Sequence, residues 1–430
     1  MSSFRTDANA AAQALLDDET LSRSTLWTHF VAEFTQAPGL FPVGVTEVPH
    51  EMVCVPAKAL SRAAGNVSGC DVSPWVFDAA HTPAPEAPAD EDATDAVELD
   101  QEAINEAVLT GLRAWALQLR RTGFPATELP GAAEIYIDVI TELIDRPLGD
   151  ETADAIRRGA NTMKEAIEQA DLDGVPPASA AQVMAVTEAS ASSGSPSAAD
   201  TRIVRLETST PLEYAAGQVI PVMQADRQGV WNSLAPALPP NELGQVEFHV
   251  RDELDVEVGD HVTLGTAYGP VPFPEDSTSP NERVLLIADG TGLAAAKAMV
   301  FELMDRPERP QVELMIGVEH EDEFYDLQTF ASLASSAAAR DWLTVTCVAE
   351  QVIDPESSEA PAVCEGLRRV WAPLEHLAAA TGTWWGRRLI LCGSTARCTL
   401  LADALREAGA PAPLVIAPDA EPDWFCQRAL

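Results

Sequence analysis

Val284–Met299 constrains this chain more than any other stretch. Val284, Leu285, Leu286 and Ile287 form a short, β-rich apolar run, which predicts a buried strand. Gly290 and Gly292 break it, and Leu293–Leu303 then carries apolar residues at helical spacing. A strand, a glycine turn and a helix in that order expose backbone N–H groups and a helix N-terminus, an arrangement suited to phosphate. One Gly-Thr-Gly turn has low specificity, so the order of the later elements carries the weight. Val312–Val318, Trp342–Ala349 and Leu389–Cys392 read as further strands, with helical patterns between them and a helix over Ala396–Ala408. That alternation predicts a parallel sheet.

At 430 residues the chain has room for two to four domains. Its net charge of −40 disfavours nucleic acid and anionic membranes as partners and suits a basic protein surface. The sequence holds no long unbroken apolar run and no cationic-plus-apolar leader, so a cytoplasmic protein is expected. Seven scattered cysteines without CxxC spacing fit reduced thiols, not a disulfide frame or a metal site. Ser394-Thr395 makes no nucleophile elbow, and no motif joins Cys392 to His376. No catalytic residue stands out.

From Ala10 to about Asp171 the chain reads helical, with one interruption. Leu26, Trp27, Phe30, Val31 and Phe34 form a helical stripe. Leu109–Arg121, Leu129–Leu148 and Asp150–Asp171 read as later helices. Residues 81–103 are rich in Pro, Ala, Asp and Glu, and no Lys or Arg occurs between Arg62 and Arg113, so an acidic disordered loop is expected. The Ser/Ala/Gly-rich residues 186–200 read as a linker. Beyond it, Ile203–Thr208, Val219–Gln224, Gln245–Val250 and His261–Leu264 read as short strands of an antiparallel barrel.

The segments IADGTGLAAAKAMV and GVEHEDEFYDL, with a late strand ending in Cys-Gly, resemble the NAD(P)-binding domain of the ferredoxin-NADP reductase superfamily. In particular they resemble the reductase half of flavohaemoglobins. LQLRRTGFPATELPGAAEIYIDVITELI resembles the proximal-helix region of the globin half, and HFVAEF followed by LFP resembles its distal side. The resemblance implies an all-α globin-like domain over residues 1–185 and an antiparallel FAD-domain-like β-barrel over 201–280. An α/β parallel-sheet NAD(P)-binding-like domain over 281–430 completes it.

The resemblance also marks departures. Leu119 stands where the iron-ligating histidine belongs, and Val31 where the distal tyrosine does. Tyr136 and Met163 are conceivable iron ligands, though core roles suit both better. The Arg-x-Tyr-Ser strand that grips flavin matches Val230-Trp231-Asn232-Ser233, so cation and ring are replaced while Ser233 remains. Trp231 could stack if the register slipped, and Arg227 could lend charge. The phosphate-binding turn and helix after that region give way to a stretch carrying Asp252, Glu253, Asp255 and Glu257. Asp289 replaces a turn glycine, Ala295 a proline, and Glu319 lies where an arginine commonly meets the ribose phosphate. Cys392-Gly393 is kept, and Asp423-Trp424-Phe425 could form an aromatic lid or a buried core aromatic.

These departures lead to the expectation of a degenerate flavohaemoglobin-like pseudoenzyme, haem-free and with no cofactor beyond residual NAD(P) or FAD binding. It would serve as a scaffold, adaptor or regulator for a basic or coiled-coil protein partner. The alternative is an NAD(P)H-dependent FAD oxidoreductase. There Arg227, Trp231 and Ser233 hold flavin, while Gly290, Thr291, Gly292, Cys392 and Gly393 hold the nicotinamide nucleotide. A third reading is a nucleotide sensor without redox turnover.

Overall fold

A computed structural model describes residues 2–34, 45–65, 101–189, 201–274, 282–351, 367–382, 384, 386–422 and 424–425. The turn at 40–42 and most of the acidic loop and linker lie outside these residues. The chain forms two compact units. One comprises the helices up to Ala178 together with the C-terminal stretch from Asp423, and the other comprises Ser179–Pro422.

The described elements of the first unit are helices: α1 (Ser2–Asp17), α2 (Glu19–Glu33), α3 (Glu51–Ala63), α4 (Gln101–Leu119), α5 (Leu129–Ile144) and α6 (Asp150–Leu172). Asp18 caps α2, accepting a hydrogen bond from the Leu21 backbone N–H at 3.0 Å. The apolar stripe of α2 turns Leu26 and Phe30 inward, and Phe30 meets Phe34, Phe124 and Tyr136 with ring centroids 5.5, 6.3 and 6.2 Å away. Helix α5 ends before the expected Leu148 because Asp145 takes a left-handed conformation (φ 52°) as its C-cap.

The second unit contains two six-stranded sheets. The first is antiparallel, built from β1 (Ala178–Glu188), β2 (Arg202–Thr208), β3 (Ile220–Gln224), β4 (Asn232–Leu234), β5 (Gln245–Val250) and β6 (His261–Gly265), in the order β4-β3-β6-β1-β2-β5. A bridge between Pro236 and Phe248 links the end of β4 to β5 and curls the sheet into a barrel. Alternate residues turn inward around Phe248, Leu206, Ile220 and Leu264. Strand β1 places the boundary of the helical unit at Ala178 instead of the expected 185. Its Ala/Ser/Gln-rich sequence carries little strand signal, yet it pairs with β2 along most of its length.

The second sheet is parallel: β7 (Arg283–Asp289), β8 (Gln311–His320), β9 (Leu343–Gln351), β10 (Arg368–Trp371), β11 (Arg387–Cys392) and β12 (Leu414–Ile416), ordered β10-β9-β8-β7-β11-β12. Helices α7 (Leu293–Asp305), α8 (Leu327–Ser335), α9 (Leu374–Ala379) and α10 (Thr395–Glu407) connect the strands. Covered on both faces, β7 is buried from Val284 to Ala288, which explains its continuous apolar run. The chain winds one way from β7 to β10 and then returns to β11 on the other side of β7. That reversal puts the switch point between β7 and β11, at the strands' carboxyl ends.

Candidate functional site

At that switch point the structure brings together two motifs more than a hundred residues apart. Gly290, Thr291 and Gly292 form a single 3-10 turn between β7 and α7. Gly290 has φ +55°, a conformation that costs glycine little. Gly292 is ordinary in backbone angle but crowded. A Cβ there would lie 2.1 Å from the Cys392 carbonyl oxygen and 2.6 Å from the Gly393 nitrogen. A Cβ on Gly393 would in turn meet Asp289 at 3.3 Å. The predicted Gly-Thr-Gly and Cys-Gly residues are therefore packed on one another. Cys392 is fully buried, and burial pushes its thiol well above the ordinary range, so it is a neutral thiol.

Asp289 brings a negative charge to the place where the resemblance has a turn glycine. In the structure that charge is met: Arg397 Nε, from α10, lies 3.2 Å from Asp289 Oδ2, and its Nη2 lies 2.5 Å from Glu350 Oε1. Burial holds the Asp289 carboxyl above its usual value in spite of Arg397. On the other side of the turn, a Cβ at Gly290 would find Arg251 Nη2, 3.6 Å away. Arg251 closes β5 of the barrel, is half exposed, and leans toward Glu323 at 4.0 Å. A guanidinium beside a left-handed glycine and a helix N-terminus forms a donor set for a diphosphate. Asp322, just past β8, is buried, and among the described residues neither of its carboxylate oxygens has a hydrogen-bond partner. It comes after the second strand of the sheet, the position from which a carboxylate reaches ribose hydroxyls in dinucleotide folds.

The barrel residues converge less. Ser233 Oγ lies 2.6 Å from the Tyr268 hydroxyl, Trp231 is half-buried before β4, and Arg227 is exposed in the β3–β4 turn. Val230 is exposed, and the Asn232 amide donates to the Glu253 carbonyl at 2.6 Å. Glu253 also accepts from the Arg251 backbone N–H at 2.6 Å, so β4 is tied to the residue beside Gly290. Residues 251–260 form no helix; instead Leu254 and Val256 drop into the barrel core. Sequence reasoning missed Arg251, Asp322, Tyr325 and Arg397 as site residues. Only the Arg at the end of the His-Val-Arg strand left any signal.

In the helical unit, Leu119 closes α4 and Val31 is exposed. Tyr136 is buried and its hydroxyl donates to the Met52 carbonyl at 2.5 Å, and Met163 is buried too. The imidazoles among its described residues, His29 and His50, face Glu142 and Glu19. Neither imidazole lies on α4, the helix on which the resemblance places the iron ligand. The aromatic-lid expectation resolves as the buried alternative: the Phe425 ring lies against Gly111 of α4, within the helical unit, with Arg62 5.8 Å from its centroid. Among the described residues no cysteine is in a disulfide, and no helix is long and apolar enough to cross a membrane.

No family model matches the chain. It is 27% identical over 142 residues to the reductase component DmpP of phenol 2-monooxygenase from Pseudomonas, covering 31% of this chain and 39% of that protein. It is likewise 27% identical over 140 residues to the phenol hydroxylase P5 protein of Acinetobacter pittii, covering 30% and 38%. The chain thus spans about two-fifths of the length of these curated relatives. In structure it is similar to the flavohaemoglobin of Malassezia yamatoensis with bound FAD and haem. That likeness has a TM-score of 0.59 at 14% identity and covers 97% of this chain and 98% of that one.

These likenesses correct the expectation that no cofactor belongs here. One relative is a reductase component, and the protein matched from end to end was determined with FAD and haem. The scaffold and pseudoenzyme expectations gain no support from them; they point to an oxidoreductase-like fold.

Proposed function

We propose that this chain, a flavohaemoglobin-like protein in fold, is a flavin oxidoreductase that takes its electrons from NADH. The observation that supports this most is the packing of Gly290–Gly292 onto Cys392–Gly393, with Arg251 beside Gly290. The backbone N–H groups at the start of α7 and the Arg251 guanidinium bind the diphosphate. Asp322 accepts bonds from ribose hydroxyls. Glu319, Glu321 and Glu323 surround that end of β8 and repel a 2′-phosphate, so NADH is preferred to NADPH. Around β4, the half-buried Trp231 ring, the Ser233–Tyr268 hydroxyl pair and the exposed Arg227 offer an aromatic face, a hydrogen-bonding group and a cation. Those are the kinds of group that a flavin dinucleotide needs. When bound, nicotinamide supplies a hydride and flavin accepts it. The acidic surface suits a basic or coiled-coil protein partner, and the free thiols suit the cytoplasm.

The tied amide of Asn232 favours one second reading, a nucleotide sensor that binds NADH without flavin turnover. Visible absorbance after loading with FAD and desalting separates the two, because only the oxidoreductase keeps flavin peaks that bleach on adding NADH. Calorimetry should find NADH binding at least tenfold tighter than NADPH. Absence of heat with either nucleotide would sink both readings.

A further inference from the structure

A buried train of polar groups joins the barrel to the nucleotide turn. Lys297, one of three lysines in the chain, lies on α7 with Nζ 2.8 Å from Glu247 Oε1 and 2.5 Å from Asp326 Oδ2. A buried ammonium persists only with such pairing. Glu247, on β5, also meets Arg205 Nε of β2 at 2.7 Å. Two residues along the same strand, and so on the same face, His249 places Nε2 3.2 Å from Glu247 Oε1 and Nδ1 3.0 Å from the Tyr325 hydroxyl. That hydroxyl lies 3.5 Å from the Gly290 carbonyl oxygen.

Proton counting decides who donates. An ionised carboxylate only accepts, so His249 Nε2 carries the hydrogen. A neutral imidazole has no second N–H, so Nδ1 accepts and Tyr325 donates its one proton to it. Nothing is left for the Gly290 carbonyl, and the distances agree: 3.0 Å is a bond and 3.5 Å is the outer limit of one. Burial, seconded by the Lys297 charge, lowers the His249 pKa in spite of Glu247, so the neutral imidazole is the resting form. If His249 takes up a proton, Nδ1 becomes a donor and the Tyr325 proton is released toward Gly290. The charged groups acting on this ring are Glu247, Lys297 and Asp326, with Arg205 paired to the other carboxylate oxygen of Glu247.

We infer that His249 and Tyr325 are positioning residues for the nucleotide turn, the Tyr325 hydroxyl binding either the imidazole or the Gly290 carbonyl. The inference rests on the proposed function for its role in NADH binding, but not for the relay itself. In two-bond 15N–1H spectra, with the His249 signal assigned by its loss in His249→Leu, the expected form at neutral pH is the Nε2–H tautomer. Hydrogen exchange at Gly290–Leu293, corrected for intrinsic rate, should slow by about threefold as His249 protonates. NADH affinity should change with the same pH dependence, and Tyr325→Phe should abolish both changes. An Nδ1–H tautomer, or a pH-linked exchange that survives in Tyr325→Phe, overturns the relay. If NADH fails to bind at any pH, the proposed function falls while the tautomer and exchange data still decide the relay.

Discussion

In the proposed function the carboxyl edge of the parallel sheet and the β4 strand of the barrel share one task, holding a nucleotide cofactor, and they differ in what they are made of. The sheet edge is built from backbone: a left-handed Gly290, a Gly292 pressed on Cys392, and the first turn of α7. The β4 region relies on side chains, and there Val230 and Asn232 depart from the resemblance while Ser233 keeps its hydroxyl against Tyr268. A backbone site tolerates drift in its neighbours so long as the glycines stay. Asp289 shows this, since its added charge is absorbed by Arg397. A side-chain site has no such reserve: each replacement removes a contact outright.

The sharpest way to break the comparison is Gly292→Val. Its φ of −57° suits any residue, so the cost is steric, a Cβ driven into the Cys392 carbonyl. Overpacking against backbone should cost the second unit about 3 kcal/mol, seen in calorimetric unfolding, and NADH binding should vanish. Unchanged binding would show that the turn is not the site.

That contrast also explains what was legible. The interval Gln245–Val250 was read as a strand to the residue, because its apolar residues and its bounding turns are local signals. The Gly-Thr-Gly and Cys-Gly segments were singled out from turn glycines and from the resemblance, and the structure packs them on one another. Strand β1 was missed because Ala178–Val183 is made of small and polar residues, and its pairing with β2 comes from tertiary context. Arg251, Tyr325 and Asp322 were passed over for a related reason: an arginine, a tyrosine or an aspartate gains its role from where distant strands end. The reading of Leu119, Val230 and Asn232 as signs of a cofactor-free chain went too far. Side-chain replacement at three positions says little about groups that reach the site from elsewhere.

A medium effect is expected at the seam between the two sheets. His249 is buried, and its folded-state pKa lies below the ordinary 6.5. Below pH 6.5 the unfolded chain binds a proton that the folded chain resists, so this term leaves stability intact above 6.5 and removes it as pH falls. The slope is at most about 1.4 kcal/mol per pH unit. Glu247, held far below its usual value with His249 and Lys297 as partners against the cost of burial, adds a further loss below 4.5. Asp289 and Glu323, raised by burial, act in the opposite sense within the carboxylate range. Unfolding midpoints taken from pH 8 to 5 should fall below 6.5 in the natural chain and flatten in His249→Leu. A flat profile in both would mean that the ring is not buried neutral.

The smallest effect is the one that sharpens the β4 side. Val230→Arg with Asn232→Tyr restores a cation and a ring to the strand. Val230 is 50% exposed, so the new guanidinium stays in water and carries no burial cost. Asn232→Tyr gives up the bond to the Glu253 carbonyl, a loss of about 1 kcal/mol. Against that, a charge-assisted contact to a phosphate and a stacked ring should raise FAD affinity by about tenfold, a net gain of about 1.4 kcal/mol. Fluorescence titration with FAD reads this directly. A rise confined to the double variant places flavin on β4 and shows that side chains alone set its grip. No rise would move the flavin off this strand and leave Arg251, on the backbone-built side, as the cation that a cofactor meets first.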